Sequence, residues 1–106
     1  MEIFCEALRY RDIEFFLMRL DNDVWRAYLH TALNYGNRPT DLNTICLLHD
    51  QALNMYYLNW IPTQTLEACE ASAITWADMT LEFINSGTTI HRQFQDRFYP
   101  SSERET

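Results

Sequence analysis

Apolar residues recur at helical spacing along most of the chain. Over 41–60, Leu42, Ile45, Cys46, His49, Ala52, Leu53, Tyr56 and Trp60 follow the i, i+3, i+4, i+7 rule of one helical face, with Thr40 placed to cap it. Val24, Ala27, Tyr28, Thr31 and Tyr35 repeat that pattern, and Gly36 closes it. Breaks stand at Gly36-Asn37-Arg38-Pro39, Pro62, Ser86-Gly87 and Tyr99-Pro100, with a weaker one at Asp21-Asn22-Asp23, three good N-cap residues in a row. The helices predicted between them cover 2–20, 23–35, 41–60, 64–85 and 89–98. Ile13, Phe16, Leu17 and Leu20 keep the phase of the second helix, so the first two also read as one long helix from about Asp12.

Segment 12–20 is apolar nearly all round and is the stretch most easily confused with a strand. As a helix it requires burial on several sides or an oligomer interface, for which Phe15, Phe16, Met18 and Trp25 are the candidates. Ile90, Phe94 and Phe98 give the fifth helix an apolar edge that either closes the bundle or docks in a dimer. The expectation is a single all-α domain over 1–99, four main helices plus a short C-terminal one, followed by a flexible tail over 100–106 that carries no apolar residue.

Composition agrees with one domain of ordinary size: 106 residues, 47% apolar, with two Gly and three Pro. The net charge of −7 excludes generic binding of nucleic acid or anionic lipid. All eight basic residues are Arg and none is Lys, which codon bias, avoidance of lysine modification or preference for planar Arg pairing would each produce. Three Cys at 5, 46 and 69 sit in apolar helical contexts and read as free, buried thiols of a reducing, cytoplasmic protein. No apolar run approaches the roughly 20 residues of a membrane span, and the start of the chain does not read as a secretory leader.

Charge is concentrated rather than spread: −4 of the −7 falls within 61–85. At about 100° per residue, Leu66, Cys69, Ala73, Trp76, Ala77, Thr80, Phe83 and Ile84 form the core face of that helix. Glu67, Glu70, Asp78 and Glu82 lie nearly opposite, enclosing Ile74 and Leu81. Such a stripe is either a solvated face or a docking face for a basic protein, with charge steering the encounter and the aliphatics supplying affinity.

Chemistry is poorly represented. Cys46 and His49 stand at i, i+3 but on an apolar face, where a buried thiol and a core imidazole are the simpler reading. Arg26 and His30 stand at i, i+4 without an acidic companion, and no phosphate loop, zinc pair or nucleophile elbow is present. The sequence therefore predicts a protein without catalysis, metal or cofactor. Its expected role is that of a regulator or inhibitor, of the kind found in phages and mobile elements or as immunity proteins and antitoxins, binding a basic, often nucleic-acid-handling, protein. The alternative is a structural subunit or homodimeric adaptor.

Overall fold

Alternation with period two, rather than 3.6, governs the first half of the chain. The computed structural model describes residues 5–30 and 33–98, and the tail expected over 100–106 lies outside them. In β2 (Ile13–Arg19), Ile13, Phe15 and Leu17 are buried on one side while Glu14, Phe16, Met18 and Arg19 are not. β1 (Cys5–Tyr10) precedes β2, and β3 (Trp25–Leu29) follows it. A one-turn helix, α1 (Leu42–Ile45), leads into the hairpin of β4 (Leu47–Asp50) and β5 (Met55–Leu58). All pairings are antiparallel, in the order β1-β2-β3-β5-β4. Two helices complete the chain, α2 (Leu66–Ser86) and α3 (Ile90–Phe98).

The molecule is thus a five-stranded antiparallel sheet with one long helix and a short one. It is not an all-α bundle. The helices expected over 2–20, 23–35 and 41–60 are replaced by strands and the one-turn α1, and the single helix from Asp12 is replaced by a hairpin. Turn chemistry explains the error. Arg11 and Asp12 join β1 to β2 with φ of 50° and 65°, a two-residue hairpin turn usually built on Asn-Gly. Asp21 to Asp23, read as helix caps, form the β2–β3 turn with Asp23 at φ 61°. Short polar side chains serve both purposes equally well. Cys46 at φ 59° ends α1 after four residues, and Asn54 at φ 53° turns β4 into β5.

The second half follows the helical pattern. Thr65 accepts a hydrogen bond from the Ala68 amide and starts α2, and Gly87 at φ 85° closes it. Arg38 donates through Nε to the Ile84 carbonyl, placing a cation at the carbonyl end of α2. Cys69, Ala73, Trp76, Ala77, Thr80 and Phe83 form the buried stripe, which lies across β1, β2 and β3. At its centre Trp76, fully buried, meets Phe15 edge-on at 5.8 Å. Its indole Nε1 donates to the Ile45 carbonyl at 3.0 Å, which ties α1 and the β4–β5 hairpin to the same helix. α3 docks beside α2, where Gln93 donates to the Met79 carbonyl at 2.8 Å and Phe94 packs on Trp60 at 5.4 Å. Among the described residues no helix is long and apolar enough to cross a membrane.

Two predictions follow from this core. Replacing Trp76 by Phe leaves the Ile45 carbonyl without its partner and opens a void, so urea unfolding should show a loss of about 2–4 kcal/mol. Burial raises the Cys69 thiol from 9.0 to about 11 and the Tyr35 phenol from 10.0 to about 12. The unfolded chain releases these protons first, so the Cys69 contribution to stability is complete below pH 9 and is lost as pH rises through 11, and that of Tyr35 is complete below pH 10 and is lost as pH rises through 12. Stability should hold nearly level up to pH 8 and fall with increasing slope from pH 9 to 11, and the slope should flatten in a Cys69→Ala, Tyr35→Phe variant.

Candidate protein-binding face

Pairing in the sheet decides which side chains share a surface. The Phe16↔Tyr28, Met18↔Arg26 and Tyr28↔Tyr57 registers place these five residues on the side of the sheet away from α2. Ala7 and Cys5 extend this surface along β1, and Met55 and Leu48 extend it to β4. One-sided antiparallel sheets normally carry polar residues outward. Here the outward positions are largely apolar and aromatic, although the hydrophobic core lies on the opposite side.

Geometry makes this face ordered. The guanidinium of Arg26 sits 4.3 Å from the centre of the Tyr57 ring and donates to the Tyr28 hydroxyl at 3.3 Å. Tyr28 and Tyr57 rings lie 5.5 Å apart. Neighbours leave Tyr28 only 2% exposed, so it forms a floor, while Phe16, Met18 and Tyr57 are half-buried around it. Met18, Tyr28, the Leu20–Asn22 turn and Leu53 line a groove of about 610 Å³. Leu53, on the tip of the β4–β5 turn, is 46% exposed, and Leu48 is 38% exposed. Four charged residues sit on the same face: Arg9 opposite Glu14 on β1 and β2, Arg26, and Asp50 opposite Met55.

The residues expected to form an oligomer interface are divided by the sheet. Phe16 and Met18 are on the open face. Phe15 has no exposed surface and belongs to the core against Trp76, and Trp25 faces the helix side, pairing through its backbone with Thr63. Arg26, Tyr28, Met55 and Tyr57 were not candidates from sequence, because only strand pairing brings β2, β3 and β5 together. The signal available was the alternation of Trp25-Arg26-Ala27-Tyr28-Leu29, which a helical phase also accommodates.

The acidic helix face is also divided. Glu67 and Glu82 are exposed and Glu70 and Ile74 half-buried. Asp78 is engaged within the chain, accepting from the Tyr10 hydroxyl at 2.9 Å and from Arg11 at 3.0 Å, so it fastens the β1–β2 turn to α2. That hydrogen bond raises the pKa of Tyr10. Leu81 packs at the rim of the core.

The side chains singled out for chemistry are not brought together. Cys46 and His49 separate, the thiol buried at the end of α1 and the imidazole exposed on β4 against Tyr56. Burial pushes the thiols of Cys46 and Cys69 upward, opposite to the direction a nucleophile needs. Among the described residues no three His, Cys, Asp or Glu side chains converge on a point that would hold a metal ion. No known family, curated protein or solved structure matches the chain.

The thiols of Cys46 and Cys69 are buried as expected, but Cys5, on the edge strand β1, is exposed. An aromatic disulfide reagent at pH 8 should titrate one thiol rapidly in the folded protein, that of Cys5, and all three only in denaturant.

Proposed function

We propose that the protein acts without catalysis, as a protein-binding module whose working surface is the uncovered face of the sheet. One observation carries this reading. Phe16, Met18, Tyr57 and Leu48 point away from the core that α2 covers over β1, β2 and β3, on a surface that solubility alone would make polar. Arg26 stacked on Tyr57 gives that surface an ordered aromatic and arginine centre, the residue types that concentrate binding energy. Rings held in place before binding lose little freedom on contact.

A second reading places the work on α2, with a basic protein partner meeting Glu67, Glu70 and Glu82 around Ile74. What favours it is the concentration of acid on one helix without intrahelical cations. Engagement of Asp78 by Arg11 and of Leu81 by the core removes two members from that set.

Photocrosslinking in the native cell separates the readings. With p-benzoylphenylalanine at position 57 a discrete protein adduct is expected, and at position 82 none. An adduct formed from position 82 and not from 57 would overturn the sheet-face reading in favour of the acidic helix.

A further inference from the structure

We infer that the occupant of the open sheet face is a second copy of this chain, docked face to face about a twofold axis parallel to the strands. This rests on the reading that the open face is the working surface, and goes further by naming what covers it.

Charge supports a self-complementary contact. Arg9 and Arg26 balance Glu14 and Asp50, so the open face is electrically neutral although the whole chain carries −7. The α2 face, by contrast, carries Glu67, Glu70 and Glu82 with no basic residue on the same helix. Register adds direction. β1 and β4 are the two edges of the sheet. Arg9 lies on β1 just before the β1–β2 turn, and Asp50 lies on β4 just before the β4–β5 turn. Through the Phe16↔Tyr28, Leu29↔Tyr56 and Asp50↔Met55 pairings these two turns fall at the same end of the sheet.

A twofold parallel to the strands and passing over the central strand β3 lays β1 of one copy over β4 of the other without exchanging the ends. Each Arg9 then faces Asp50 of the second copy, twice over, at the two margins of a centre made by Phe16, Met18, Tyr57 and Leu48, while Arg26 on the strand beneath the axis meets Arg26 of the second copy, each guanidinium drawn aside over its own Tyr57 ring. The layers would be aligned, as in two sheets packed about 10 Å apart.

Size sets the strength. Five strands at about 4.8 Å spacing and four to seven residues long define a plane of roughly 400 Å². That is about half of the ~800 Å² per partner of a standard interface, the range of reversible association. A dimer with Kd on the order of 10–100 µM is therefore expected rather than a permanent one.

The test is sedimentation equilibrium of the full chain, with helix and sheet content of each variant checked by circular dichroism. Wild type should pass from monomer to dimer between about 5 µM and 500 µM, bracketing the expected Kd. Leu48→Glu, at an exposed position, should weaken the dimer at least tenfold. Arg9→Glu and Asp50→Arg should each abolish self-association. Mixed in equal amounts, these two variants should form a heterodimer, because one cross-copy pair is then the original Arg9–Asp50 and the other is an attractive pair with its signs reversed. Wild type that stays monomeric throughout, or a dimer that persists in Leu48→Glu, or single variants that do not pair when mixed, would each overturn the second copy as occupant. If wild type is monomeric and position 57 still crosslinks to a different protein, only the identity of the occupant fails. If position 57 crosslinks to nothing, the sheet-face reading fails with it.

Discussion

Trp76 is the contact on which the arrangement depends. Its ring lies edge-on to Phe15 in the centre of β2, and its Nε1 satisfies the Ile45 carbonyl where α1 turns into β4. One side chain thereby fixes α2 against the first hairpin and against the second. Ala73 and Ala77 on either side have no exposed surface, which lets the helix approach the sheet closely around the large indole. Thr80 completes the stripe as the single buried polar residue among those described.

A consequence of that seating is asymmetry. The chain has one helix long enough to span the strands, and Trp76 commits it to one side. Tyr10 and Arg11 reinforce the choice by holding Asp78, so even the β1–β2 turn leans toward α2. The other side keeps whatever its alternate positions carry, and these are Phe16, Met18, Tyr28, Met55 and Tyr57. Charge divides in the same way. Of the α2 acids, Glu67 and Glu82 are exposed on the helix side, while the open side balances Arg9 and Arg26 against Glu14 and Asp50, with Arg26 laid over the Tyr57 ring.

The helical half of this fold was legible in the residues and the strand half was not. α2 and α3 lie close to their expected bounds, because Thr65, Gly87 and a stripe from Cys69 to Phe83 all indicate the same helix. The strands were hidden by their own two-sidedness. When Phe15 and Leu17 are buried in the core and Phe16 and Met18 line an open face, the run is apolar in every direction and imitates a buried helix. Their turns gave no glycine to mark them, since Arg11, Asp12, Asp23 and Asn54 adopt left-handed backbone themselves. The site was legible in part for the same reason. Phe16 and Met18 drew attention as surplus apolar residues, whereas Arg26, Tyr28 and Tyr57 become neighbours only when β3 pairs with both β2 and β5.

The central claim is that the sheet's uncovered face, and not the acidic helix, is the surface through which this protein associates. Its most direct test is a residue-resolved dilution series by amide NMR on the isotopically labelled chain. Concentration-dependent shifts should be confined to Phe16, Met18, Arg26, Tyr57 and Leu48 and their strand neighbours, with the amides from Glu67 to Glu82 unmoved. Shifts concentrated on α2 with the sheet face unmoved would contradict it.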